Sequence, residues 1–265
     1  MTENEYRSQE GISRTELWRL RESPEKFKWY QEHPEPATPA LIFGAAVHKL
    51  LLEPETFGAE FAVVPEVDRR TKDGREAYNA FLAVSDGKSV ISRADYEKAQ
   101  EMANKALDAP FVRKLLDGEH EKPFFWMDEL TGEKCKCRVD CITNLDGKPV
   151  IVDYKTANSA ATHSFNRSIF NYGYYVQAAM YSDGVMTAMG LAEHPDFIFI
   201  VQEKNPPYAV NIVTVPPEVM LAGLDKFREL IGIYHQCNAT GYWYGYTGPF
   251  DEPNEAYLPE WGKEE

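Results

Sequence analysis

Pro149-Val150-Ile151-Val152-Asp153-Tyr154-Lys155 is an apolar run that ends on an acid, an aromatic and a lysine. It reads as a buried strand with chemistry at its end. Upstream, Asn144-Leu145-Asp146-Gly147 carries an Asp-Gly pair, a strong hairpin signal. Strands over roughly 135–143 and 149–155 then run antiparallel, and a turn-centred register sets Asp140 opposite Asp153 or within a residue or two of it. Residues two apart share a strand face, so Asp153 and Lys155 point one way and Val152 and Tyr154 the other.

Two carboxylates brought together cost energy unless a cation offsets it, because like charges at short range raise a pKa. A hard divalent ion such as Mg²⁺ or Mn²⁺ prefers oxygen ligands and supplies that charge. A lysine beside such a site can orient water or offset charge on a phosphoryl oxygen. Asp140, Asp153 and Lys155 are thus the set that metal-dependent phosphodiester hydrolysis requires. A solvated surface hairpin is the plainer reading of the same three residues, since charged pairs on strands are common.

Residues 38–52 open with Thr38 as a helix cap and Pro39 in the first helical position, and the run is apolar almost all round, which predicts a buried helix. His48 falls one turn beyond Gly44 on the same side, either as a core histidine or as a ligand. Gly44, lacking a side chain, allows close approach at that position. A helix over 171–190 puts Gln177 and Tyr181 on one face with Tyr174, where they could hold a phosphate or orient Lys155.

In chain order, Gly44-Ala45-Ala46-Val47-His48, Asp140, Asp153-Tyr154-Lys155 and Gln177-Ala178-Ala179-Met180-Tyr181 resemble the motifs of the PD-(D/E)XK nuclease superfamily. More narrowly they resemble its RecB-type branch and the prophage-encoded RecE (exonuclease VIII) family, over about residues 12 to 235. The resemblance implies a restriction-endonuclease-like α/β fold, a mixed central sheet with flanking helices. It implies Mg²⁺-dependent digestion of linear double-stranded DNA from 5′ ends, leaving 3′ single strands for recombination. A ring-like homo-oligomer such as a tetramer and a single-strand-annealing partner protein come with it. Under the same resemblance Asp140, Asp153 and the Tyr154 backbone carbonyl hold the metal, and His48 ligates or supports a second ion. Lys155 positions the attacking water, while Gln177 and Tyr181 hold Lys155 or the phosphate.

The 265 residues suffice for one large α/β domain, assigned to 1–238 with its N-terminal helical elements, followed by an aromatic and then acidic tail over 239–265. The acidic start does not read as a signal peptide, and no uncharged apolar run approaches the roughly 20 residues of a membrane span, so a cytoplasmic protein without membrane contact is expected. Net charge is −14 with a pI near 5.0, which repels DNA at long range and argues against sequence-specific duplex binding. Basic residues are nonetheless clustered, and Arg14, Arg19, Arg69, Arg70, Lys72, Lys136 and Arg138 are candidate DNA contacts, with ordinary solvated charge as the alternative. Lys136 and Arg138 alternate with Asp140 on one strand face. Arg14 opens a short helix over 14–22, capped by Ser13 and ended by Pro24, and is the candidate for a terminal phosphate.

Glu121 precedes a strand at Pro123-Phe124-Phe125-Trp126-Met127 and could reach a second ion through water, although a solvated strand-start charge is its plainer role. Residues 62–75 read as a strand end and an exposed basic loop, 92–107 as a packing helix, 196–201 and 209–215 as paired strands, and 217–234 as an amphipathic helix. Cys135, Cys137 and Cys141 alternate on one strand facing away from Asp140, with Cys237 apart. That pattern neither converges four thiolates for an iron–sulfur cluster nor offers a zinc spacing, so neither cofactor is expected. Two other functions stay open: a structure-dependent endonuclease or repair nuclease with the same site, and a non-catalytic DNA-end-binding module.

Overall fold

The computed structural model describes Met1 and residues 3–257. The first part of the chain forms α1 (Glu3–Ser8), α2 (Arg14–Leu20), α3 (Pro24–Glu32), α4 (Pro39–Leu52), α5 (Phe57–Glu60), β1 (Phe61–Val63), α6 (Lys72–Val84), β2 (Ser89–Ile91), α7 (Arg93–Asp108) and α8 (Pro110–Leu115). The second part forms β3 (Glu119–Met127), β4 (Lys134–Leu145), β5 (Lys148–Ala157), α9 (Thr162–Asn171), α10 (Tyr174–Met189), β6 (Asp196–Glu203), β7 (Val210–Thr214) and α11 (Pro217–Thr240). Strands β3 to β7 lie side by side in chain order; β5 and β6 are parallel and their other neighbours antiparallel. The result is a mixed central sheet flanked by helices.

The β4–β5 hairpin turns on Asp146 and Gly147, both with positive φ, as a two-residue type I′ turn demands. Strand β5 is buried on both faces, which is why its apolar run is continuous rather than alternating. On one face Cys137, Val139, Ile151, Phe199 and Val201 pack beneath α10 and α11. On the other, Cys141, Val152, Tyr154 and Ile200 pack with Val47, Met102 and Leu115 from α4, α7 and α8.

Several local expectations change. Pro24 does not end a helix; capped by Ser23, it starts α3 in the first helical turn, where its missing N–H costs nothing. The supposed loop up to residue 75 runs into α6, whose Thr71 side chain accepts from the Gly74 amide. Helix α4 keeps its Thr38 cap, but its first turn is exposed, with Leu41 64% accessible. The expected helix over 171–190 starts only at Tyr174, after a left-handed Gly173 separates it from α9. The three strand cysteines do not share a face: Cys135 and Cys137 lie under α10, whereas Cys141 lies on the α8 side with its thiol 3.6 Å from the Leu115 carbonyl. The alternation breaks at Asp140, between Val139 on one face and Cys141 on the other. Helix α11 continues to Thr240, past the expected boundary at 238, and the aromatic tail then docks on α3. Trp243 stacks on Phe27 at 5.3 Å, and the Glu25 amide donates to the Tyr244 carbonyl at 3.0 Å. Residues 258–265, including Glu260, lie outside the described residues. Among the described residues no helix is long and apolar enough to cross a membrane.

Candidate metal centre

The β3–β4 register, with His120 opposite Cys141 and Lys122 opposite Val139, sets Glu121 across from Asp140. The β4–β5 register ends at Cys141 opposite Val152, and Asp140 and Asp153 follow immediately beyond it on their two strands. Glu121 and Asp140 are thus neighbours across β3 and β4, with Asp153 on the adjoining strand β5. Where the β4–β5 ladder ends, Asp140 Oδ2 accepts the Tyr154 backbone N–H at 2.8 Å. From the second layer, α4 brings His48 Nδ1 to 3.4 Å from the same oxygen, with the imidazole edge-on to the Tyr154 ring. An added Cβ at Gly44 would come no closer than 3.9 Å to Thr156, so no protein atom requires the glycine there.

His48, Glu121 and Asp140 each offer a ligand atom within 4.8 Å of the others, forming a potential metal-binding cluster. Glu121 is not a solvated strand-start charge. Its side chain is 14% exposed and ion-paired with Arg138 at 2.8 Å. Burial, reinforced by Asp140 and opposed by Arg138, pushes its carboxyl up to about 8. A glutamate this far above its ordinary range favours a nearby cation.

Asp153 is 2% exposed and faces α10. The Gln177 Nε2 group donates to its Oδ1, and Lys155 Nζ lies 2.5 Å from Oδ2. That lysine contact lacks hydrogen-bond geometry, so Asp153 Oδ2 is a buried oxygen without a directed donor. Burial raises the Asp153 carboxyl and Lys155 pulls the other way, while neighbouring Asp140 adds to the rise. Burial alone would lower the Lys155 ammonium, but Asp153 and Asp140 outweigh it and hold the lysine charged. Two carboxylates and one imidazole, the Glu121, Asp140 and His48 cluster, suit a hard divalent ion such as Mg²⁺ or Mn²⁺.

Helix α10 contributes differently from the expectation. Gln177 binds Asp153 and not Lys155, and the ring beside Lys155 is Tyr174, with its centre 4.9 Å from Nζ. Tyr181 packs against the core and lines a cleft of about 790 Å³ with Arg19, Lys136 and Arg138. Burial drives its hydroxyl pKa far up. Lys136 is itself buried, its ammonium donating to the carbonyls of Tyr6, Arg7 and Gln9, and Arg19 stacks on Tyr30 at 5.0 Å. Arg14 donates to Gln177 Oε1 at 2.9 Å and to the Tyr172 carbonyl at 3.1 Å. Arg69, Arg70 and Lys72 sit at the start of α6 with contacts to Tyr78, Asp68 and Glu76, within their own segment. The burial of Glu121 and the Arg14–Gln177 bond escaped the sequence reading. Both arise from segments far apart in the chain that meet only after folding, and neither left a local signal.

Fold and site together define a PD-(D/E)XK-like nuclease fold carrying a potential metal-binding site. The chain belongs to the family described as a PDDEXK-like domain of unknown function (DUF3799), whose model matches residues 13–252. A crystal structure from Eubacterium rectale, described as a candidate exonuclease, is similar over 98% of this chain and 96% of its own, with 14% identity and a TM-score of 0.61. At that identity the likeness shows the fold alone. A second solved structure, SSO0001, aligns over 71% of this chain and 84% of its own at 16% identity and a TM-score of 0.32. No curated protein matches the chain.

Proposed function

We propose that this protein is a Mg²⁺- or Mn²⁺-dependent exodeoxyribonuclease that digests linear double-stranded DNA 5′ to 3′, leaving 3′ single strands for recombination. The observation that supports hydrolysis best is the His48, Glu121 and Asp140 cluster with the Asp153–Lys155 pair close enough to Asp140 to feel its charge. Asp140, Glu121 and His48, with Asp153 Oδ2 and the Tyr154 carbonyl, are the residues to hold the ion. When bound, a divalent ion acidifies water and stabilises charge on phosphoryl and leaving oxygens.

The chain's own contribution centres on Lys155. Held charged by Asp153 and Asp140, it is a donor rather than a base. It steers the attacking water or steadies a phosphoryl oxygen as the P–O3′ bond breaks. Tyr174 shields the ammonium on one side, and Gln177 fixes the Asp153 carboxylate on the other. Arg138 and Arg19 line the neighbouring cleft and offer local positive charge within an acidic molecule.

Polarity, the ring-like oligomer, the annealing partner and the cytoplasmic setting rest on the motif resemblance to the RecE family. The test is cleavage of one plasmid as a sealed circle and after linearisation, in Mg²⁺ and in EDTA. Mg²⁺-dependent loss of the linear form alone is expected, with 5′-terminal label released first. Digestion of the sealed circle would make the protein an endonuclease, and binding without cleavage would make it a DNA-end-binding module. A gel-filtration mass equal to one chain would remove the ring.

A further inference from the structure

We propose that Arg14 is a positioning residue: it fixes which way the Gln177 amide points and thereby holds Asp153 in place. The argument is one of donors and acceptors. A guanidinium donates and cannot accept, so the end of Gln177 that meets Arg14 at 2.9 Å must be the carbonyl oxygen. The amide nitrogen then has only the opposite direction left, and there it donates to Asp153 Oδ1. With Oδ1 so engaged, Oδ2 is the oxygen left beside Lys155.

Without Arg14 only Asp153 selects the amide orientation, and a carboxyl that takes up a proton no longer does so. In the flipped orientation the amide carbonyl would face the Asp153 carboxylate, oxygen against oxygen, and the carboxylate would have to rotate or take up a proton. Arg14 also fixes where Gln177 stands. Its other nitrogen donates to the Tyr172 carbonyl at 3.1 Å, at the left-handed turn that starts α10, and the Gln177 backbone N–H donates to the Gly173 carbonyl in the same turn. The arginine is anchored at the first position of α2, whose Ser13–Glu16 capping box sets the helix start. An N-terminal helix is thereby coupled to the sheet residue at the centre of the site.

The consequence for catalysis rests on the nuclease reading; the orientation itself does not. The test therefore has two readouts. The first uses metal-free protein without DNA: the ¹⁵N side-chain amide signal of Gln177, assigned by its absence from Gln177→Ala. In wild type one amide proton should resonate downfield and exchange slowly, as befits a bond to a carboxylate, and in Arg14→Ala both properties should be lost. Should the alanine variant not fold, Arg14→Met keeps the aliphatic stem and removes the donors. An unchanged amide signal in the variant overturns the proposal whatever the activity.

The second readout is a double-mutant cycle on DNA cleavage. Arg14→Ala should lower kcat by about 10–100-fold, the usual cost of losing a group that orients a metal-site ligand, with KM and the Kd for DNA in Ca²⁺ unchanged. Added to Gln177→Ala it should lower kcat no further, because it acts through that amide. Additive losses, or a salt dependence of DNA binding weakened by about one unit of slope, would show that Arg14 contacts phosphate and would sink the proposal. If wild type cleaves no DNA while the amide shift appears, the nuclease reading fails and the positioning role stands.

Discussion

The Tyr154 backbone N–H donates to Asp140 Oδ2 at 2.8 Å, where strand-to-strand backbone pairing between β4 and β5 has just ended. A buried amide left without an acceptor is costly, so the carboxylate replaces a ladder bond and is itself fixed by the main chain. His48 approaches the same oxygen at 3.4 Å. The geometry of the candidate metal centre is thus set by strand register and one helix rather than by mobile side chains.

Asparagine and alanine at position 140 should therefore differ in stability. Asp140→Asn keeps an oxygen for the Tyr154 amide and relieves repulsion with Glu121 and Asp153, so its stability should stay close to wild type. Asp140→Ala strands that amide and should cost about 1–3 kcal/mol more in urea unfolding. Both should lose Mg²⁺-dependent cleavage by ~100-fold or more, beyond the usual cost of a supporting residue. Equal stabilities for the two variants would show that the carboxylate does not cap the strand.

Glu121 makes stability depend on pH in an unusual direction. Its folded carboxyl titrates at about 8, raised by burial and by Asp140, against an ordinary 4.5. Between those values the folded state holds a proton that the unfolded chain has released, so stability falls as pH rises through that window. Without metal, Tm should decline from about pH 5 to about pH 9, and Glu121→Gln should flatten this component. Saturating Mg²⁺ should flatten it too, because the ion takes the proton's place. A wild-type profile no steeper than that of Glu121→Gln would show the carboxyl is already ionised.

How far the sequence reveals this molecule depends on the range of the interactions. The hairpin was legible because Asp146-Gly147 dictates a local turn, and with it came an antiparallel register that runs as far as Cys141 opposite Val152. Thr38 and Pro39 marked the start of α4 by local capping. Pro24 misled because proline marks a helix start as readily as an end, and Ser23 before it was the deciding cap. The cysteine faces do not follow from strict alternation, because Val139 and Cys141 on either side of Asp140 lie on opposite faces of the sheet. The burial of Glu121, the seat of Lys136 among carbonyls and the Arg14–Gln177 bond all depend on segments that meet only after folding.

Gly173→Ala probes the turn that delivers α10 to the site. Gly173 has φ 68°, where a Cβ is strained, and an added Cβ would fall 2.5 Å from the Trp18 ring. Strain and overpacking together should cost on the order of 2–4 kcal/mol in urea unfolding. Gly190→Ala, with a similar φ of 64° but open space around it, should cost only the backbone part, about 1 kcal/mol. Equal losses at both positions would mean Trp18 yields without cost.

Lys155 and Asp153 should show the sharpest separation of stability from activity. The pair is buried, with 17% and 2% of the side chains accessible, and lies at 2.5 Å. Removing the cation alone leaves Asp153 beside Asp140 without compensation, and breaking a buried pair from one side costs about 3–5 kcal/mol. Lys155→Ala should therefore be both inactive and strongly destabilised, which would make its loss of cleavage uninformative alone. Asp153→Asn with Lys155→Met removes both charges and keeps the volume, and it should recover most of that stability while remaining inactive. Urea unfolding of the two single variants and the double variant gives the coupling, and cleavage assays on the stable double variant give the chemistry. A double variant that unfolds as readily as Lys155→Ala would mean the lysine matters for packing rather than charge. One that still cleaves DNA would remove both residues from the reaction.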